Sequence, residues 1–468
     1  MANDDKATLY RRLVREASDA QVVERMKVHG FWPWTQRLPA DPPQEVQERL
    51  SIERDLARLR ALGTQGQGDP QKLLAAERKR RWEASKLRRA AAKKARALAL
   101  QQRKAAFAAL RKSTVLHLGQ GVSAGLHDTA VTPGPLHARG LPVLGTASDL
   151  AMMLGIPLGT LRWLTYHRRG ATLVHYHRFG IPKKQGGQRS ISAPKPRLAA
   201  AQRWVFRNVL ARLEPRPEAH GFVTGRSIIT NATAHVGKAV VVNLDLRDFF
   251  PSVTFRRVKG LFRAAGYNEH VSTVLGLLCT EPPRLAATLD GDDCYIALGA
   301  RVLPQGACTS PALTNLLCRR LDARLAGLAR RHTMTYTRYA DDLTFSGDDP
   351  RCVGRLLRSV RSILTAEGFV EHPTKTHVMR PAARQEVTGL VVNRTLSVPR
   401  SYLRELRAVL YNCAKHGLDS QNRAGHPAFA AHLRGRVSFV ASVRPDLAEG
   451  LWAALDRALG ATPTSAAE

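Results

Sequence analysis

Acidic residues are scarce in this chain: 38 Asp and Glu stand against 72 Lys and Arg, leaving a formal charge of +34. A surplus of that size says nothing about fold, but it points to a polyanionic partner. Nucleic acid is the first candidate, because Lys and Arg that neutralise phosphates release condensed counterions. An anionic membrane surface is the second. Long apolar runs are missing too. No stretch reaches the roughly 18 residues that would suggest a bilayer span. The opening residues (MANDDKATLYRR) are polar and do not resemble a signal peptide, so no membrane partner and a cytoplasmic location are expected. Cysteine is sparse, with six residues and no C-x-x-C or C-x-x-H spacing. That predicts reduced, packed thiols and neither a disulfide framework nor a zinc site. What the chain does have is 44% hydrophobic residues, enough for a core, which excludes wholesale disorder.

Residues 1–112 read as a helical, basic extension. Apolar residues recur at helical spacing over Thr8–Val28 and Ile52–Leu62. Between them, Phe31-Trp32-Pro33-Trp34 and Pro39–Pro43 mark a break, and the aromatics there suggest a small core or docking patch. After a Gly/Gln stretch at 63–70, the segment Gln71–Lys112 is rich in the strong helix formers Ala, Leu, Lys and Arg. Between Glu77 and Lys112, fourteen Lys or Arg stand against two Glu, a local net of +12. So much uncompensated charge favours phosphate contact over a merely solvated face. Residues 113–146 carry Gly, Pro and His without periodicity and read as a linker. Their glycines follow a helix and not a strand, which argues against a phosphate loop. From 147 to 398 the texture is mixed α and β, with strands expected at His175–Ile181 and Arg189–Ser192 and a helix at Leu198–Leu213. Residues 399–460 read as helical and basic, and 461–468 as a disordered tail.

Three carboxylates sit where local structure would expose them. Ala239–Leu244 is a β-branched, apolar run that predicts a buried strand with Asp245 at its C-terminal end. Thr335–Gly347 predicts a tight hairpin with Asp341 and Asp342 at its tip. Adjacent carboxylates repel, and holding them on an apolar hairpin is unfavourable unless a cation offsets them. Hard oxygen ligands beside nucleotide phosphates suit Mg²⁺, and two-metal phosphoryl transfer needs carboxylates that bridge both ions. Taken alone, the Asp-Asp pair would be read as an ordinary turn.

Three motifs in order change that reading. Tyr339-Ala340-Asp341-Asp342 resembles the Tyr-x-Asp-Asp box of reverse transcriptases, Asn243–Phe250 resembles their first catalytic strand, and Leu303–Asn315 resembles their Pro-Gln-Gly box. Gly306 permits close backbone approach, and Ser310-Pro311 suits an N-cap followed by proline at the first helical position, opening a helix over 311–331. The resemblance implies an α+β right-hand polymerase (fingers, palm and thumb) with a ferredoxin-like palm, preceded by the mostly helical extension. It implies two Mg²⁺ ions, with Mn²⁺ as a substitute, held by Asp245 and Asp341, with Asp342 a less certain third ligand. Lys183 and Arg189, on a segment resembling the fingers hairpin, would clamp the incoming deoxynucleoside triphosphate. Gln305 belongs to the nucleotide site. Phe250 takes the position of the gate against a ribose 2′-OH, with Phe249 the core member of that pair. Lys375 would protonate the leaving pyrophosphate, a merely solvated lysine being the alternative.

Within that family two short elements resemble bacterial retrons: Asn231-Ala-x-x-His235, and Val387-Thr388-Gly389. Read alone, His235 is a packed or solvent-facing histidine. The retron resemblance implies a cognate structured RNA bound through these elements and through Arg404 and Arg407 of the thumb. It also implies priming from an internal guanosine 2′-OH, a branched RNA–DNA product (msDNA), a role in phage defence and a retron effector protein as partner. The long N-terminal extension resembles myxobacterial forms. Too little chain follows the Tyr-Ala-Asp-Asp box for an RNase H domain, so template removal is expected from another protein. The alternatives are a group II-like or diversity-generating enzyme, and a catalytically silent RNA-binding scaffold.

Overall fold

The computed structural model describes residues 19–35, 43–64, 69–182, 186–289 and 291–460. Contacts divide the chain into one unit up to Ala105 and another from Ala106 onward.

In the first unit, helix α1 (Asp19–Val28) precedes α2 (Pro43–Thr64) and α3 (Pro70–Ser113), the last running past the unit's end. At 44 residues and about 1.5 Å per residue, α3 is roughly 66 Å long. Asp55 of α2 pairs with Arg80 and Arg81 of α3 at 3.7 and 3.1 Å, and Glu77 joins Arg80 at 2.7 Å. The two helices therefore form an antiparallel hairpin. Phe31 and Trp34 are largely exposed and build no core.

The second unit opens on the segment expected as a linker, and there the expectation fails. Val115, Leu118, Val122, Leu126, Leu136, Leu141 and Leu144 are all buried in the main core. Gly119 shows how a segment without periodicity can do this. It lies at φ +114, and a Cβ there would come 2.1 Å from the His167 carbonyl oxygen. Without that side chain the strands of backbone close up, and the His167 N–H donates to the Leu118 carbonyl at 2.7 Å. Turns, with only the short helix α4 (Pro133–His137), present these apolar residues inward, so no helical or strand period marks them.

Helices α5 (Ala147–Met153) and α6 (Leu158–Thr165) follow, α5 opening on a Thr146–Asp149 capping box. The short β1 (Gly170–Ala171) precedes an antiparallel hairpin of β2 (Tyr176–Pro182) and β3 (Gln188–Pro194). Then come α7 (Pro196–Asn208), α8 (Ile228–Thr233) and β4 (Val240–Asp245). Next are α9 (Phe255–Ala265), α10 (Glu269–Cys279), and β5 (Arg284–Leu289) with β6 (Asp292–Ala297), which form a small sheet with β1. The expected helix over 311–331 is two, α11 (Ser310–Leu317) and α12 (Arg319–Arg331), meeting at Cys318. The hairpin β7 (Met334–Tyr339) and β8 (Asp342–Gly347) leads to α13 (Val353–Ala366) and β9 (His377–Met379). A two-strand ladder, β10 (Glu386–Val387) and β11 (Leu390–Val391), precedes α14 (Arg400–His416), α15 (Phe429–Val443) and α16 (Ala448–Ala458).

The central sheet runs β7-β8-β4-β9, antiparallel throughout. Strand side chains alternate faces, and β4 uses both: Val240, Val242 and Leu244 enter the main core while Val241 enters a second core. That second core is built from α14 to α16 and the β10–β11 ladder. The expected mixed palm and helical thumb are thus two cores sharing one strand. Four of the six cysteines are buried and all six are free. Among the described residues no helix is long and apolar enough to cross a membrane.

Candidate active site

The apolar run of β4 delivers Asp245 to the end of the central sheet, as its sequence predicts. Pairing of β4 with β8 sets Asp245 opposite Asp342, and pairing within the hairpin sets Tyr339 opposite Asp342. Ala340 and Asp341 are left as the turn. Ala340 lies at φ +57, an unfavourable setting for a residue with a Cβ. The Leu246 N–H donates to the Asp341 carbonyl at 3.0 Å, which ties the turn to the chain leaving β4. All three catalytic candidates therefore converge.

Their electrostatics are those of a site short of positive charge. Burial raises the Asp341 carboxyl above its ordinary range, and the nearby Asp245 charge adds to this against the pull of Lys375 and Arg189. Asp342, though it keeps a face to solvent, is pushed up to about 7 by burial and by the charges of Asp341 and Asp245. The Lys375 ammonium donates to the Asp245 carboxylate at 3.0 Å. Lys375 is thus neither a merely solvated lysine nor free of the carboxylates. It reaches them because the His372 N–H donates to the Asp245 carbonyl and pins the 370–375 segment alongside. Among the described residues no group of three or more ligating side chains is gathered as a ready metal site. The donor chemistry nonetheless fits a hard divalent cation: carboxylate oxygens, two of them reluctant to ionise, around one ammonium.

The surrounding candidates are distributed unevenly. Phe249 is buried against Phe369, with ring centroids 5.8 Å apart, whereas Phe250 is only partly buried beside it. Arg189 is exposed on β3 and close enough for its charge to act on Asp341. Lys183 lies outside the described residues. Gln305 is half-buried, and its carbonyl accepts from the Ser192 N–H of β3 at 2.7 Å. Gly306 beside it lies at φ +119, and a Cβ there would meet the Ser192 carbonyl oxygen at 3.0 Å, so the Pro-Gln-Gly box packs on the fingers hairpin through bare backbone. Thr309, not Ser310, stands at the N-cap position of α11 and its side chain makes no capping hydrogen bond; the Ser310 hydroxyl donates back to the Pro304 carbonyl at 2.7 Å.

Three residues expected to bind RNA cannot do so, because they are interior. Asn231, His235 and Val387 have no exposed surface. His235 lies beneath the β7–β8 hairpin and hydrogen-bonds Thr337 of β7 at 2.7 Å and Ser346 of β8 at 2.6 Å. One ring nitrogen donates and the other accepts, as a neutral imidazole allows. Burial holds its pKa down at about 3. Thr388 and Gly389, at φ +48 and +84, form the two-residue turn between β10 and β11, and the Thr388 hydroxyl donates to the Ile228 carbonyl at 3.3 Å. The two retron-like elements meet and brace the hairpin from below. Arg404 and Arg407 are exposed on α14, available to a ligand.

Sequence reasoning missed the group that holds the turn. Arg338 has no solvent exposure and forms a bidentate ion pair with Asp322 of α12, both contacts at 2.8 Å. Its remaining nitrogen donates to Asn315 at 2.9 Å and to the Ala340 carbonyl at 3.1 Å, while Tyr336 donates to Asp322 at 2.9 Å. Asn315 in turn donates to the Gly221 carbonyl at 2.8 Å. An arginine one residue before the Tyr-Ala-Asp-Asp box was the signal available.

The family model for reverse transcriptases (RNA-dependent DNA polymerases) matches residues 181–412. The retron Mx162 reverse transcriptase of Myxococcus xanthus is 46% identical over 365 residues, covering 73% of this chain and 74% of that one. The retron Mx65 reverse transcriptase of the same organism is 45% identical over 326 residues, covering 70% and 75%. Among solved structures, telomerase from Candida albicans in complex with a TWJ fragment of telomeric RNA has a TM-score of 0.39 at 10% identity, over 61% of this chain and 63% of that one, a likeness too loose to add to the assignment. On its sequence relatives, the chain belongs to the retron reverse transcriptases, the RNA-directed DNA polymerases of retrons, and is of the Myxococcus-like form.

Proposed function

We propose that this polymerase copies part of its own structured non-coding RNA into msDNA, a single-stranded DNA left branched on that RNA and primed from an internal guanosine 2′-OH. The convergence of Asp245, Asp341 and Asp342 around the Lys375 ammonium is the observation that carries the catalytic part. Asp245 and Asp341 would hold two Mg²⁺ ions, with Asp342 supporting them and Mn²⁺ able to substitute. Bound there, the ions supply charge neutralisation for phosphoryl transfer. Arg189, joined by Lys183, clamps the triphosphate as a fork and a point charge. Phe250 excludes a ribose 2′-OH, and Gln305 lines the nucleotide site from the box that packs on β3. Lys375 protonates the pyrophosphate as it leaves. Arg404 and Arg407 grip the backbone of the product duplex. The biological setting we infer is cytoplasmic phage defence, together with an effector protein.

The full chain, given Mg²⁺, dNTPs and a DNA primer annealed to RNA, should extend that primer. Asp341→Asn should slow extension by on the order of 100-fold or more, as expected for loss of a ligand in metal-assisted phosphoryl transfer. Undiminished synthesis by the variant would overturn the catalytic assignment. Expressed with its upstream DNA, the chain should yield DNA that keeps a branched ribonucleotide after RNase digestion; DNA with a free 5′ end would reject the priming scheme.

A further inference from the structure

Two rows of cations run along one face of α3. Lys79, Lys86 and Lys93 recur every seven residues, and Arg89, Arg96 and Arg103 recur at the same interval. Seven helical residues rise about 10.5 Å and return to within about 20° of the starting direction. Both rows therefore fall within an arc of about 120°, and from Lys79 to Arg103 the face is about 36 Å long. All six side chains are exposed, and none has an acidic partner among the described residues. The ion pairs that hold α2 join its Asp55 to Arg80 and Arg81, which with their intrahelical partner Glu77 lie on the other side of the helix.

The geometry selects among polyanions. Proteins that bind single strands combine a basic groove with aromatic platforms on which bases stack. Trp82 is the one aromatic residue between Lys79 and Arg103, and the Lys86 ammonium covers one face of its ring, 5.2 Å from the centroid. What remains is a straight, rigid line of cations, suited to the regular phosphates of a rod. Double-stranded RNA is recognised in that manner, by shape and backbone. We propose that this face of α3 binds double-stranded RNA through its phosphates, and that in the retron its ligand is a duplex stem of the RNA that is copied. The identity of that RNA rests on the function proposed above; the duplex binding does not.

The test uses the full chain and a 20-base-pair RNA duplex of arbitrary sequence, with affinity measured by fluorescence anisotropy across a KCl series. Replacing Lys86, Arg89, Lys93 and Arg96 together by Gln should weaken binding more than tenfold and reduce the slope of log K against log [KCl] by about three. The off-face pair Arg88→Gln/Lys94→Gln should stay within about twofold of the parent, and far-UV circular dichroism should show the helix intact in both. Equal loss per charge from the two faces would overturn the proposal, as would equal loss on a single strand of the same length. An unchanged salt slope would also overturn it and would give the face to a protein partner. Primer extension on an unstructured template should be unaffected by the four substitutions. Failure of the parent protein to extend, with duplex binding intact, would sink the polymerase reading alone.

Discussion

A guanidinium sealed from water is tolerated only when its donors are used, and Arg338 spends them on Asp322, Asn315 and the Ala340 carbonyl. Removing one partner leaves the other as an uncompensated buried charge, so Arg338→Met should destabilise the fold by about 3–5 kcal/mol. Replacing both, Arg338→Met with Asp322→Leu, should recover most of that stability in urea denaturation. Polymerase activity should stay low, because the Ala340 carbonyl then loses the donor that helps hold the turn at its positive φ. Recovery of activity with stability would show that the pair serves the core and not the turn. His235 makes a prediction of a different kind. Its pKa of about 3 lies below the ordinary 6.5, so the unfolded chain takes up a proton that the native state refuses. The stability it permits is complete above pH 6.5 and is lost as pH falls toward 3, amounting to about 2 kcal/mol by pH 5. His235→Gln, which keeps a donor and an acceptor but does not titrate, should flatten that loss when unfolding is compared at pH 7.5 and 5.

Elements with a compact local signal were legible in the sequence. The run before Asp245, the hairpin at 335–347 and the fingers strands stand where β-prone runs and turn residues put them. The segment at 113–146 was not legible, because its apolar side chains reach the core from turns that close backbone to backbone at Gly119. Leu136→Ala, at a site with no exposure, should therefore destabilise the fold by about 2–5 kcal/mol in chemical denaturation, where a linker would show almost none. The division of the 311–331 helix was hidden for another reason. The Thr314 hydroxyl donates to the Ser310 and Pro311 carbonyls within its own helix, and such back-bonding bends helices without altering the apolar pattern.

At the scale of the molecule, charge announced a nucleic-acid partner but not where it binds, since 72 basic residues exceed any one surface's needs. The meeting of Asp245, Asp341 and Asp342 was readable because a strand end and a hairpin tip are local features. The Arg338–Asp322 pair was not, because its two members lie on different elements and meet only in the fold. The brace under the hairpin bears on how such an enzyme could be redirected. Asn231, His235 and Val387 have no surface to offer a ligand, so the choice of RNA must be exercised by groups that face outward. Grafting these short elements between relatives would transplant a hinge pin, leaving the address label unchanged; a change of template calls for editing the exposed faces of α3 and α14.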